Sequence, residues 1–249
     1  MRKSGLLYVI LLLILIGCNS DNDSSTTENG RNPAPNQKPT GSSAKDFLTD
    51  KYEELEIEIV YVEGYRPTTQ SINNLRTFLQ QRLNKPGGIT VVQREVPSPD
   101  RSPYSLSEIN KLESELRSSY NDVNKLSLYV FFADGRFTTD TPGTFTLGTA
   151  YRNTSCVIYE NTIINYSSLP GGPDRTALET TVLLHEICHL LGLVNFGTPM
   201  LTAHEDPAQR RHCTNSDCLM YWQAQMIVNG NIPQLDSSCI ADLRANGGK

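Results

Sequence analysis

One stretch limits what this chain can become: Leu183-Leu-His185-Glu186-Ile-Cys-His189-Leu-Leu-Gly192. Its apolar residues run almost all round a helix, and a helix of that kind has to be buried. Burial then makes His185, Glu186 and His189 a problem, because buried polar groups without partners are costly. The spacing H-E-x-x-H supplies an answer. Residues four apart lie one turn above each other on the same helix face, so both imidazoles can aim at one metal ion. Glu186 is turned about 100° round the axis, away from the ion and towards a water beside it. Zinc takes imidazole nitrogens readily and keeps an open position in catalytic sites. The spacing therefore points to metal-assisted hydrolysis with Glu186 as general base. Gly192 suits a sharp left-handed helix end, which would turn the chain back under the metal to deliver a third ligand. All four histidines of the protein fall between 185 and 212.

Downstream, His212-Cys213-Thr-Asn-Ser-Asp-Cys218-Leu-Met220 reads H-C-x4-C-x-M. The two halves together resemble the archaemetzincin branch of the metzincins, in which H-E-x-x-H-x-x-G-x-x-H-C-x4-C-x-M is continuous. Here position 195 is Asn, and His212 lies 17 positions further on, which implies an insertion of that length. Gly192-Leu-Val-Asn-Phe-Gly-Thr-Pro-Met200 is also similar to a stretch of the lipoprotein metalloproteases of Bacteroidetes-type bacteria. The resemblance implies one catalytic Zn2+ held by His185, His189 and His212, with Met220 as the Met-turn beneath it. His204 is the alternative third ligand, and Asn195 and Asp206 are further candidates. It implies an α+β zincin domain: a twisted mixed sheet with an antiparallel edge strand, the metal helix, the Met-turn and a C-terminal helix. The edge strand, assigned to 146–151, would pair with a peptide substrate, and the small residues around Thr149 (Gly148 and Ala150) would let its backbone approach closely.

Archaemetzincins bind a second, structural zinc through the equivalent cysteines and a later C-x-x-C. This chain has only Cys239 downstream. A Cys213–Cys218 or Cys218–Cys239 disulfide is therefore expected in place of a second zinc, given an oxidising compartment.

That compartment follows from the start of the chain. Arg2 and Lys3 precede an apolar run, Leu6 to Ile16, too short to span a membrane. It ends in Leu-Ile-Gly-Cys18, which resembles a bacterial lipobox with Cys18 lipidated. The expected layout is a signal peptide at 1–18, a disordered tether at 19–49 and a catalytic domain at 50–249, anchored to the outer membrane or cell surface. Periodicity places strands at 55–62, 89–96 and 126–133, with helices between them, and Thr176-x-x-Glu179 fits a capping box for the metal helix. A net charge of −5 without any basic stripe excludes nucleic acid as a partner. The expected partners are a peptide or protein substrate and the membrane, with the chain a monomer. The rival reading is a non-catalytic or latent zinc-binding surface lipoprotein, its metal closed off by all four histidines.

Overall fold

Alternation along the first long strand sets the architecture. In β1 (Glu54–Val62), Leu55, Ile57 and Ile59 face one side of the sheet, and Val60 and Val62 the other. The chain continues through α2 (Thr69–Arg82), β2 (Gly88–Val96), α3 (Leu106–Leu116) and β3 (Lys125–Phe132). Next come β4 (Gly148–Arg152), β5 (Ser155–Ile158), α4 (Glu160–Ser167), α5 (Arg175–Leu190) and α6 (Ser237–Ala245). The strands form one sheet in the order β2-β1-β3-β5-β4, parallel except for β4, which is antiparallel at the edge. This computed structural model describes residues 32–224 and 230–249. Cys18 and the leader lie outside them. Among the described residues no helix is long and apolar enough to cross a membrane.

Helices cover both faces, as a largely parallel sheet requires. Leu126, Leu128 and Val130 of β3 join the β1 residues beneath α2 and α5, in a core containing Leu75, Leu79, Leu183 and Leu190. On the reverse face, Tyr129 and Phe131 pack with Ile109 and Leu112 of α3. Each fully buried aliphatic side chain contributes about 1.5–3 kcal/mol. The sequence-based strands and the two helices between them, α2 and α3, match this layout. Helix α4 was not foreseen, because Ile163 is its only buried apolar residue.

Two expectations change. The stretch 32–49, assigned to the tether, is part of the folded body: α1 (Ala44–Leu48) buries Phe47 and Leu48 in the main core. The remainder of the tether, 19–31, lies outside the described residues. Helix α5 is capped not by a Thr176 box but by Asp174, whose Oδ1 accepts the N–H of Ala177 at 2.9 Å. Glu179 is instead turned to α2, where its Oε1 accepts the Thr68 N–H at 2.9 Å.

Candidate metal centre

Every residue of α5 from Ala177 to Leu190 is buried, so the helix runs through the core, as its apolar pattern demanded. It ends in a Schellman turn. Gly192 sits at φ 80°, its N–H donates to His189 O, and the Leu193 N–H donates to Cys188 O. A Cβ on Gly192 would lie 2.9 Å from Thr198 N, so the turn needs glycine for space as well as conformation.

The excursion after this turn returns at His212. Asp206 N–H donates to His212 O at 2.8 Å, and Cys213 N–H donates to Met220 O at 2.7 Å. These bonds, with Arg211 at φ 70°, hold the His212 ring against the helix histidines. The ring centroids of His185, His189 and His212 are 4.8 to 5.2 Å apart, and one ligand nitrogen from each lies within 4.8 Å of the others. His185 Nδ1 donates to Leu219 O at 2.8 Å and His212 Nδ1 to Arg210 O at 3.0 Å. Each bond fixes the tautomer and leaves Nε2 as a lone pair, the usual outer-shell device of metal-binding histidines. Among the described residues, His189 Nδ1 is buried with no partner. Burial, then the neighbouring His212, pulls His185 down to about 4, opposed by Leu219 O. Burial also drives His189 well below its usual range. Three neutral imidazoles facing one point fit a zinc ion well.

Glu186 lies beside them at the free edge of β4. Its Oε2 accepts the Ala150 N–H at 2.7 Å. Burial pushes its carboxyl up to about 7, against the pull of that N–H. Gly148 is small for a reason that the sequence did not show: a Cβ there would lie 2.8 Å from both Glu186 Cγ and Val182 Cγ1. Thr149, between Gly148 and Ala150, pairs with Val157 of β5. Met220 is fully buried in the main core, next to Leu219, whose carbonyl holds His185.

His204 is not a member of this group. It belongs to a second cluster with Cys213, Cys239 and Asp236. His204 Nε2 donates to the buried Asp242 Oδ2 at 2.9 Å, which turns Nδ1 towards Cys213 Sγ at 3.4 Å and Cys239 Sγ at 4.0 Å. Cys218 Sγ and Cys239 Sγ are 3.7 Å apart. That is no disulfide, which needs about 2.05 Å, and all five described cysteines are free thiols. The expected Cys213–Cys218 and Cys218–Cys239 bridges are absent. A tetrahedral ion with sulfur ligands at about 2.3 Å would place two sulfurs about 3.8 Å apart, and a sulfur and a nitrogen about 3.5 Å apart. His204, Cys213, Cys239 and Asp236 each offer a ligand atom within 4.8 Å of the others, with Cys218 Sγ next to Cys239, so this group fits such an ion. Hydrogen bonds from Cys213 and Cys239, then from the Asp236 and Met220 N–H groups, hold the Cys218 thiol well below its usual range. No local signal in the sequence marked His204 for this cluster, because Asp242 and Cys239 reach it only in the fold.

No family model and no curated protein matches the sequence. Among solved structures, archaemetzincin from Methanopyrus kandleri is similar over 78% of this chain and 96% of that one, with a TM-score of 0.51 and 16% identity. Metalloproteinase-II from Bacteroides fragilis is matched over 80% of this chain at 17% identity and a TM-score of 0.44, and this chain spans 54% of its length. The chain has the archaemetzincin-type zincin fold.

Proposed function

We propose that this chain is a zinc metallopeptidase that hydrolyses peptide bonds. The observation that carries the reading is the convergence of His185, His189 and His212 beside a carboxylate tied to a sheet edge. A zinc ion held by the three imidazoles would polarise the scissile carbonyl and acidify the attacking water. The remaining steps belong to the chain itself. The free edge of β4 takes the substrate backbone as an added strand. Glu186, held in place by the Ala150 N–H, takes the proton from water and passes it to the departing amine. The closed four-histidine alternative loses its support, since His204 is turned to Cys213 and Asp242.

The reading includes a second zinc, bound by Cys213, Cys218, Cys239 and His204, with a structural role. The first position keeps a side open for chemistry, whereas four protein ligands close the second. It also includes a lipid anchor at Cys18 that holds a monomer at the outer membrane or cell surface, on the strength of the lipobox-like sequence.

Glu186→Gln tests the catalytic assignment. Metal content should be unchanged, and peptide hydrolysis should fall about 10²–10⁴-fold. Full activity in that variant would overturn the reading.

A further inference from the structure

Helix α5 meets α2 and α4 at a pair of carboxyl groups that the metal centre does not use. Glu160 opens α4, directly after β5, and Glu179 stands in the second turn of α5, ahead of His185. Both are fully buried. Arg175 Nε and Nη2 donate to Glu160 Oε1 at 3.0 and 2.7 Å. Glu179 Oε1 accepts the N–H of Thr68 at 2.9 Å and its hydroxyl at 3.1 Å. One oxygen of each group is thus served. The other, Oε2, is buried in both residues and has no donor among the described residues. Arg175 Nη2 is 3.7 Å from Glu179 Oε2, too far for a hydrogen bond. The two carboxyl groups are nevertheless in hydrogen-bond contact with each other.

Two bare carboxylates at that range have no hydrogen to share, and they repel. A single proton answers both needs. Placed on Glu160 Oε2, it donates to Glu179 Oε2, and neither buried oxygen is left over. The balance of charge agrees. Two carboxylates against one guanidinium leave one negative charge in excess, and Arg175 is 37% exposed, so water weakens its hold. Among the described residues, the charged groups acting on Glu160 are Glu179 and Arg175, both on α5. From the side of α2 the pair meets the uncharged Thr68. Arg66 gives Arg175 only its carbonyl, at 2.9 Å, while its own guanidinium lies over the Tyr61 ring. Burial, then Glu179, pushes the Glu160 carboxyl up to about 9, against the pull of Arg175.

We propose that Glu160 and Glu179 share one proton, and that this proton ties the first turns of the metal helix to α4 in a pH-sensitive contact that loosens as pH rises. The folded chain keeps a proton that the unfolded chain releases above about 4.3. The stabilisation is therefore complete below that pH and is lost as pH climbs towards about 9. The contact sits on the helix that carries His185, Glu186 and His189, so its loss is felt first at the amino end of that helix.

Denaturant melts of the full zinc-loaded chain at stepped pH test this, with the native protein beside Glu160→Gln. The amide keeps an oxygen for Arg175 and a permanent N–H for Glu179 Oε2, so it stands in for the protonated acid at every pH. Comparing the two proteins at the same pH cancels every other titration, that of the histidines included. The ratio of folding constants, variant over native, should rise by up to about tenfold per pH unit between about pH 5 and 8. Near neutral pH the native chain should also show the infrared C=O stretch of a protonated carboxylic acid, and Glu160→Gln should remove it. Glu179→Gln, whose amide donates to Glu160 Oε2 instead, should change the pH profile in the same way if Glu160→Gln fails to fold. Parallel profiles for native and variant would overturn the proposal, as would a native chain without the acid band. Stabilisation of the native chain but not of Glu160→Gln by added calcium would also overturn it, since both groups would then be ionised around a cation.

Discussion

Gly148→Ala probes the join between the sheet edge and the metal helix. The new Cβ would lie 2.8 Å from Glu186 Cγ, 2.8 Å from Val182 Cγ1 and 3.1 Å from Glu186 Oε1. Both neighbours stand on the buried run Ala177 to Leu190 of α5, so neither backbone can retreat far. Overpacking of this kind costs about 1–3 kcal/mol. In a domain of this size that is a fall of about 2–12 °C in Tm. The alternative relief is for Glu186 to swing away, which breaks its 2.7 Å bond from the Ala150 N–H. A hydrogen bond to a charged group is worth about 1.5–3 kcal/mol, so the two routes cost about the same. Either one displaces the carboxylate, and about 1 Å of misplacement in a catalytic group costs about 10²-fold in rate. The three histidines are untouched, so zinc binding should survive. The assay is a thermal melt, metal analysis and peptide cleavage on the variant, with Thr149→Ala as the control from the same strand. A Gly148→Ala protein as stable and as active as the native one would refute the argument that this glycine exists to seat Glu186.

His204→Ala should lower zinc content from two ions per chain to one and destabilise the fold, because Cys213, Cys239 and Asp242 lose their common partner; two ions in that variant would remove His204 from the second site. The metal-free protein should lose stability as pH falls from about 6.5 towards 4. Over that range the unfolded chain binds protons that His185, held down to about 4, and His189, held well below its usual range, do not take up in the fold. Denaturant melts at stepped pH would show it, and a flat profile would contradict the buried neutral imidazoles. Thiol labelling of the native zinc-loaded protein should leave Cys213, Cys218 and Cys239 unreacted until the metal is chelated, whereupon all three should react; a mass two hydrogens short per pair would mean disulfides instead.

What was readable in the sequence follows the range of the forces involved. The helix at 175–190 was legible because its period and its histidine spacing are local, and burial follows from apolarity alone. The edge strand was legible in place, but the reason for Gly148 was not, since Glu186 is 38 positions away and meets it only in the fold. The third ligand could be argued only from the pattern around His212, as the hairpin-like pairing that returns it has no local signature. His204, the alternative third ligand, could not be placed from sequence for the same reason. Its neighbours in sequence say nothing of Asp242 and Cys239, which come from the C-terminal helix. The N-terminal segment was hidden by its composition. Pro, Gly, Ser and Asn read as a tether, yet here they make the tight contacts at Gly41 and the polar clasp at Asn153, with Phe47 and Leu48 as the apolar anchor.

The most direct measurement is anomalous diffraction at the zinc edge on crystals of the full chain. The account predicts a peak about 2.1 Å from one ring nitrogen each of His185, His189 and His212, within reach of the Glu186 carboxylate. A map with no peak among those three rings, or with His212 turned away from the other two, would contradict it.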